Sequence, residues 1–137
     1  MSASLQQVGL AVKRLQWRHH RELSRRLAPL GLSLPQWDTL RHLQANPGAS
    51  LHRLAELTFQ TDQSMGELAR RMVDRGLIER MEGPGRKVQH RLTAAGDELR
   101  RAGGATADGV LAESLGHLSA NEREILHELL LKAAAGA

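Results

Sequence analysis

Residues 50–92 decide the fold, and they read SLHRLAELTFQTDQSMGELARRMVDRGLIERMEGPGRKVQHRL. Ser50 can cap a first short helix, because a serine hydroxyl accepts a hydrogen bond from a free amide of the first turn. After residues 58–62 a second helix is expected to run to Asp74, with apolar side chains at threes and fours and with Gly76 as its stop signal. The stretch therefore begins with two short helices in succession.

The rest of this stretch changes from a helical to an alternating pattern. Residues 77–81 and 88–92 are short, partly alternating runs on either side of the turn-forming sequence EGPGR at residues 82–86. They predict a two-stranded hairpin with a mobile tip that carries Arg86 and Lys87. Two short helices followed by such a hairpin is the element order of a winged helix-turn-helix.

The segments before this stretch are predicted to be helical, and the first of them has two apolar sides. From Ser4 to Ala28, apolar residues recur at threes and fours, while Leu10 and Trp17 fall on the opposite side of the helix. One apolar stripe is enough to pack a helix onto its own domain, so we interpret the second stripe as the contact with a second copy of the chain. Pro35 then favours the first turn of another helix.

Two more helices are predicted after the hairpin. Thr93 opens the first, which contains Gly103, Gly104 and Gly109. Each glycine destabilises a helix interior by about 1 kcal/mol relative to alanine, so this helix is locally weak, bent or tightly packed, and the pattern does not choose among these. Residues 119–122, SANE, have the spacing of a capping box and indicate the start of the last helix.

The composition excludes several classes of protein. The chain has 137 residues, of which 41% are hydrophobic and 25% charged, and this fits one soluble domain. The absence of cysteine excludes disulfide scaffolds, thiolate zinc sites, cysteine nucleophiles and thiol-based redox switches. The chain has no apolar run of about 18 residues. Its N-terminus also lacks the pattern of a signal peptide, so we expect a cytoplasmic, nucleoid-associated protein with no membrane partner.

The charge of the chain raises the expectation of a nucleic-acid partner. The net charge is +4, and the 19 basic residues are arginines except for Lys13, Lys87 and Lys132. Arginine favours two-point contacts with phosphate. A solvated basic face explains such a composition about equally well, so both interpretations stay open.

Four short segments carry a resemblance to a known family. They are LSLPQW at residues 32–37, LAE at 54–56, DRGLIER at 74–80 and RLTAAG at 91–96. In this order and spacing, the four segments resemble the MarR family of bacterial transcriptional regulators. The resemblance implies a mostly α fold with a small β-hairpin wing, which is a winged helix-turn-helix with N- and C-terminal dimerisation helices.

The same resemblance implies how the chain is organised and what it does. Residues 1–137 would form a single domain, in which residues 1–30 and 102–137 are the dimerisation helices and residues 31–101 are the DNA-binding lobe. The implied function is that of a repressor that binds a pseudo-palindromic operator in double-stranded DNA as a homodimer. A small aromatic or anionic ligand is expected to modulate its DNA affinity.

Other functions are less well supported by the sequence. The competing hypothesis is a winged-helix module for protein–protein assembly that does not bind DNA. No nucleophile elbow, phosphate loop or metalloprotease motif occurs, so we expect neither catalytic activity nor a cofactor. The adjacent His19 and His20 point about 100° apart on a helix, so they do not suggest a metal site.

The second helix of the motif has the pattern of a recognition helix. With its apolar residues facing the core, a helical rotation of about 100° per residue places Gln63, Glu67 and Arg70 on the outer face. Gln63 can pair with adenine, Arg70 can reach guanine or the backbone, and Glu67 either reads cytosine or repels phosphate. The resemblance adds Arg86 as the arginine that enters the minor groove. The candidate DNA-binding residues are Ser50, Thr61, Gln63, Ser64, Glu67, Arg70, Arg71, Arg86 and Lys87. A plain solvated face is the alternative.

Two segments depart from the family pattern. Gly83-Pro84-Gly85 replaces the usual acidic residues that hold the wing arginine, and Phe59-Gln60 replaces the more usual glycine and aliphatic residue in the turn. We therefore expect a less rigid wing tip, and the geometry of the turn stays open.

Trp17, His20 and Trp37 are the candidates for a ligand pocket. In similar regulators, small anionic aromatics bind in a cleft between the dimerisation helices and the DNA-binding lobe, and these three residues belong to segments that border it. Packing of both tryptophans in the core is the alternative.

Overall fold

The computed structural model describes residues 2–83, 85 and 88–135. Its helices are α1 (Leu5–Leu27), α2 (Leu34–Ala45), α3 (Leu51–Leu57), α4 (Asp62–Asp74), α5 (Ala94–Leu115) and α6 (Ala120–Ala134), with a short 3-10 helix at Ala28–Leu30. Strands β1 (Ile78–Glu82) and β2 (Val88–Leu92) form one antiparallel hairpin. The predicted mostly α winged helix-turn-helix fold is confirmed. Among the described residues, no helix combines the length and the apolar character needed to cross a membrane.

Each α-helix begins at a hydroxyl side chain that caps it. The capping residues are Ser4, Ser33, Ser50, Thr61, Thr93 and Ser119. Ser4, Ser33 and Ser119 also form capping boxes with the glutamine or glutamate three residues later. These caps satisfy amides that have no partner within the helix, and they fix where each helix starts. The starts predicted at Ser50, Thr93 and Ser119 are confirmed.

The first strand begins one residue later than the sequence pattern predicts. Leu77 closes the end of α4, because its amide donates to the Met72 carbonyl at 3.0 Å. The Leu77 carbonyl accepts from the Thr93 amide at 3.1 Å, where α5 begins. Strand pairing therefore starts with Ile78 opposite Leu92 and ends with Glu82 opposite Val88.

Apolar side chains from the central helices and the hairpin fill the core of the lobe. The largest fully buried apolar side chains are Leu27, Leu40, Leu54, Met65, Met72 and Ile78. In α4 the buried residues are Met65, Leu68, Ala69 and Met72, which follow one another at threes and fours. Burial of one such large side chain contributes about 1.5–3 kcal/mol, so this stripe fixes which face of α4 points outward.

Helix α5 is continuous through its glycines. Tight packing against α2 explains why residue 103 is a glycine. A β-carbon at Gly103 would lie 2.4 Å from Trp37 Cδ1 and 3.3 Å from Leu32 Cδ1. Gly104 and Gly109 have open space where a β-carbon would be. Gly103 is therefore the residue that lets the indole of α2 lie directly on the backbone of α5.

Most of α1 and the whole of α6 lie outside this core. In α1 the buried residues are Leu23 and Leu27, near its C-terminal end, and no residue of α6 is buried. Large apolar side chains are exposed on both helices, among them Trp17 on α1 and Ile125 and Leu129 on α6. Each protomer thus presents an apolar surface on its first and last helices.

Replacing Gly103 by alanine should lower the free energy of unfolding by about 1–3 kcal/mol, because the new methyl group collides with Trp37. This loss is expected even though alanine is the better helix former by about 1 kcal/mol. Gly104→Ala is the matched control, since its β-carbon meets open space and should leave stability unchanged or raise it. Urea denaturation followed by circular dichroism measures both. Equal effects of the two substitutions would contradict the packing role of Gly103.

Candidate nucleic-acid interface

The outer face of α4 carries most of the candidate residues for DNA contact. The exposed candidates on this helix are Gln63, Ser64, Glu67, Arg70 and Arg71. A β-carbon at Gly66 would meet nothing within 4 Å, so the backbone there is open to close approach. The helix has 13 residues. At about 1.5 Å per residue it is about 20 Å long, and the major groove of DNA is wide enough to admit an α-helix.

Two candidate hydroxyl groups also have structural roles. Thr61 Oγ1 accepts a hydrogen bond from the Ser64 amide at 3.0 Å, and Ser50 Oγ accepts one from the Arg53 amide at 3.1 Å. Both side chains are exposed. Each hydroxyl retains its own proton, which it can donate to a phosphate oxygen while it caps its helix.

Charges of both signs surround this face. Arg70 and Arg71 form no ion pair with any of the described residues, so both guanidinium groups are available to an anionic partner. Glu67 is exposed between Gln63 and Arg70. A carboxylate there repels phosphate unless it accepts a hydrogen bond from the amino group of cytosine.

His52 of α3 lies between two carboxylates. Its Nδ1 is 2.9 Å from Asp62 Oδ1 in the first turn of α4, and its Nε2 is 3.7 Å from Glu56 Oε1. The hydrogen bond to Asp62, followed by the charges of Asp62 and Glu56, raises the pKa of His52. A protonated His52 therefore links α3 to α4 and offsets negative charge beside the candidate DNA-binding residues.

The turn between α3 and α4 keeps a left-handed residue although that residue is not glycine. Phe59 has a φ of 57° and is 97% exposed. The turn is closed by hydrogen bonds from the Phe59 amide to the Glu56 carbonyl at 3.3 Å and from the Gln60 amide to the Ala55 carbonyl at 2.9 Å. The left-handed conformation costs a residue other than glycine about 1–2 kcal/mol. Phe59, which replaces the glycine more usual in this family, therefore keeps the left-handed geometry of the turn. Its aromatic ring is exposed to solvent.

The wing candidates Arg86 and Lys87 lie outside the described residues. The strands next to them are paired up to Glu82 and Val88. Gly85, between the strands, has a φ of 73°, a conformation that glycine adopts readily. The minor-groove contact and the reduced rigidity of the tip stay predictions.

A cleft of about 630 Å³ lies between α1, α2, α5 and α6. Aliphatic side chains form most of its lining, among them Leu15 of α1, Leu111 of α5 and Leu126 of α6. Polar groups enter it from α1 and α2; they are Gln16, His19, His20, Asp38 and Arg41. This combination of volume, apolar walls and a few polar groups is typical of small-molecule sites.

Of the three candidates for a ligand pocket, His20 and Trp37 line this cleft, and Trp17 is not among its lining residues. Trp17 is 58% exposed and stacks on His20 with ring centroids 5.7 Å apart. Trp37 is buried against Gly103 and donates a hydrogen bond from Nε1 to the Arg100 carbonyl at 3.3 Å. Trp37 is therefore a core residue and part of the cleft lining at the same time.

Sequence reasoning missed four polar residues of the cleft, which are Gln16, His19, Asp38 and Arg41. The Arg41 guanidinium lies 4.6 Å from the centroid of the Trp37 ring, and Arg41 Nε is 2.9 Å from Asp38 Oδ1. His19 Nε2 is 2.6 Å from Ser114 Oγ, and burial lowers the pKa of His19. Arg41 follows Trp37 by one helical turn, so this spacing was the signal in the sequence that pointed to their contact.

Comparison with known proteins identifies the family. Residues 30–87 match the family model described as the MarR family. The chain is 34% identical over 113 residues, which is 81% of each sequence, to the HTH-type transcriptional repressor Rv2887 of Mycobacterium tuberculosis. This chain belongs to the MarR family. The predicted membership is confirmed, and the MarR relatives are transcriptional regulators.

Solved structures of this MarR relative are similar to the chain over nearly its full length. Rv2887 in complex with DNA has 30% sequence identity and a TM-score of 0.78, and the match covers 98% of this chain and 100% of the other. Rv2887 in complex with salicylic acid has 31% identity and a TM-score of 0.77, and the match covers 97% and 98%. The helices and hairpin described above therefore have the arrangement of a MarR-family protein.

The His52 cluster predicts a contribution to stability that declines as the pH rises. Folding raises the pKa of His52 above its usual 6.5. The ion pair therefore contributes fully below that pH and is lost as the pH rises through the raised pKa. The loss of unfolding free energy caused by His52→Gln should be larger at about pH 6 than at about pH 8.5, as measured by urea denaturation.

His42→Gln is the matched control for this experiment. Burial lowers the pKa of His42, so the contribution of its neutral imidazole is lost as the pH falls and the effect of this substitution should change in the opposite direction. An effect of His52→Gln that is the same at both pH values would contradict the role of the cluster.

Proposed function

We propose that this MarR-family chain is a homodimeric repressor that binds a pseudo-palindromic operator through α4 and releases it when a small aromatic anion enters the cleft. The carrying observation is that one chain combines an exposed helix face able to read bases with an apolar cleft between α1, α2, α5 and α6. The protein acts in the cytoplasm, on the DNA of the nucleoid, and has no catalytic activity.

The outer face of α4 supports direct reading of bases. A glutamine side chain at the position of Gln63 can form two hydrogen bonds with adenine, and Arg70, two turns further along, can reach guanine or phosphate. In a twofold-symmetric dimer the two α4 helices enter successive major grooves about 34 Å apart. The complex of Rv2887 with DNA, from a relative 30% identical in sequence, supports DNA as the partner of this chain.

Gln63→Ala should weaken binding to the preferred operator by about 1–3 kcal/mol, because a contact with a base edge is lost, and should hardly change binding to scrambled DNA. Arg86→Ala is the comparison, since loss of a minor-groove cation should weaken binding to both DNAs. Fluorescence anisotropy with labelled duplexes measures the affinities. Equal, small effects of Gln63→Ala on both duplexes would refute its role in reading the sequence.

The operator for this experiment comes from selection of bound sequences out of a random DNA pool. The proposed repressor should enrich a palindromic sequence, and its affinity should fall steeply with salt because phosphate contacts release counterions. Failure to enrich any sequence at low salt would instead favour the protein-assembly module.

The first and last helices support assembly of two copies. No residue of α6 is buried, and Trp17 of α1 and Leu129 of α6 are more than half exposed. Exposed apolar side chains on two helices of one chain are typical of an interface. A twofold axis brings the same surfaces of two copies together, which buries both helices without any other partner.

Trp17→Glu should convert the dimer into monomers or aggregates, because the interface would have to bury a carboxylate. Phe59→Glu is the matched control. It also replaces an exposed aromatic residue, at 97% exposure, but lies in the turn between α3 and α4. Sedimentation at micromolar concentration measures both, and a wild-type monomer or a dimeric Trp17→Glu variant would count against the proposed interface.

The cleft supports binding of an aromatic anion. Arg41 supplies positive charge next to the Trp37 ring, and the aliphatic walls suit an aromatic ring. The complex of Rv2887 with salicylic acid supports this ligand class. A ligand that binds one arrangement of the dimer more tightly shifts the population toward it, and a tenfold loss of DNA affinity corresponds to about 1.4 kcal/mol of coupling.

Arg41→Gln should weaken salicylate binding by about tenfold, because a charge-assisted contact with the carboxylate is lost. Indole fluorescence measures the binding in the absence of DNA. Arg53→Gln removes an equally exposed arginine from α3, away from the cleft, and should leave the affinity unchanged. Trp37 is left intact, since its removal would also disrupt the packing on Gly103. If salicylate leaves the fluorescence unchanged, or binds both variants equally, the assignment of the cleft fails.

A further inference from the structure

Glu67 lies near the middle of the outer face of α4. The buried side chains of this helix form one stripe, which consists of Met65, Leu68, Ala69 and Met72. At about 100° per residue, Gln63, Glu67 and Arg70 point within about 30° of the direction opposite to that stripe, whereas Ser64 and Arg71 point about 70–90° to one side of it. In a helix that lies in the major groove, side chains opposite to the core point at the base edges, and those at the sides point toward the backbone.

The carboxylate of Glu67 has no ionic partner among the described residues. Arg70 and Arg71 follow it by one turn of the helix, but neither forms an ion pair with it. The nearby acidic residues differ, because Asp62 and Glu56 both lie within ion-pair distance of His52. Glu67 is exposed, so its carboxylate is solvated in the free protein and available to a hydrogen-bond donor that approaches this face.

Contact with DNA changes the surroundings of this carboxylate. When α4 enters the major groove, Glu67 loses water, and the phosphates on both sides of the groove repel its charge. Only a hydrogen-bond donor on a base edge can replace the lost water and offset this repulsion. On a helix that reads DNA, Glu67 therefore favours a base that supplies a donor.

The bases differ in what they offer to a carboxylate in the major groove. Guanine presents the acceptors N7 and O6, and thymine presents the acceptor O4 and a methyl group, so neither supplies a donor. Adenine supplies its N6 amino group, but the acceptor N7 lies beside it and repels the second carboxylate oxygen. Cytosine presents its N4 amino group without an acceptor of its own beside it. Cytosine is therefore the base that fits Glu67.

We propose that Glu67 is a specificity-determining residue, which accepts a hydrogen bond from the N4 amino group of one cytosine in each half-site of the operator. The proposal rests on the function proposed above and adds a base to the operator. Along the axis of α4, Glu67 lies about 6 Å after Gln63 and about 4.5 Å before Arg70. Base pairs are spaced by about 3.4 Å, so the three side chains span about three base pairs. The cytosine then lies between the adenine read by Gln63 and the base or phosphate that Arg70 reaches.

Selection of bound sequences from one random DNA pool tests this role with the wild type, Glu67→Ala and Glu98→Ala. Glu98 of α5 is the matched control, because it is also an exposed helical glutamate without an ion pair among the described residues. The wild type and Glu98→Ala should enrich the same palindrome, with a cytosine at one fixed position of each half-site. Glu67→Ala should enrich this palindrome with that position degenerate and the other positions unchanged.

Fluorescence anisotropy with two duplexes measures the size of the effect. One duplex is the enriched palindrome, and the other has the cytosine replaced by thymine in both half-sites. The wild type should bind the thymine duplex at least about fivefold more weakly, because thymine O4 faces the carboxylate in place of an amino group. In Glu67→Ala this ratio should fall to about one, and its affinity for the thymine duplex should exceed that of the wild type.

The outcomes separate this role from the function on which it rests. A wild-type palindrome that has no cytosine between the positions assigned to Gln63 and Arg70 would overturn the role of Glu67 and leave the repressor intact. The same conclusion would follow if the wild type and Glu67→Ala showed equal ratios for the two duplexes. If the wild type enriched no sequence at all, the repressor function itself would fail, and the role of Glu67 with it.

Discussion

The contact between Trp37 and Gly103 joins helix α2 to helix α5. Trp37 belongs to α2, whose Leu40 and Leu43 are part of the lobe core, and Gly103 belongs to the long helix that leads toward α6. Because the indole lies directly on the backbone of α5 and donates to the Arg100 carbonyl, the two helices have little freedom to shift without a loss of packing. The same indole borders the cleft, so a ligand bound in the cleft would contact this joint.

Helix α2 also contacts α4, which carries the candidate DNA-binding residues. At the C-terminal end of α4, Arg75 donates a hydrogen bond to Gln36 Oε1 at 3.2 Å, and that oxygen also accepts from the Ser33 amide at 3.0 Å. Hydrogen bonds between exposed side chains contribute about 1 kcal/mol each. Helix α2 therefore contacts α5 through close packing and contacts the end of α4 through a weaker hydrogen bond between side chains. The coupling free energy between two sites in a protein is usually a few kcal/mol. Because the hydrogen bond from Arg75 is weak on this scale, it allows small movements of α4 relative to α2.

The secondary structure followed from short-range signals in the sequence. Ser50, Thr93 and Ser119 mark helix starts through bonds to amides a few residues away, and the outer face of α4 follows from helical periodicity alone. The start of β1 was missed by one residue, because Leu77 is shared between the end of α4 and the start of α5. The hairpin was still recognised, because both strands alternate.

Features that depend on packing between distant residues were not predictable in this way. The continuity of α5 depends on the position of Trp37, and a glycine pattern alone is equally compatible with a bend. The positions of Trp17 and Trp37 relative to the cleft depend on how α1, α2 and α5 are arranged, and so does the contact of Arg41 with Trp37.

The unburied C-terminal helix ties the stability of one chain to the presence of a second. A helix of 15 residues with no buried side chain receives little support from its own chain, and isolated helices of about that length are marginal in water. In the proposed dimer, α6 becomes stable only when a second copy arrives, and until then it frays and is open to proteolysis. Because assembly depends on concentration, the share of chains whose last helix is supported by a second copy rises with the amount of protein.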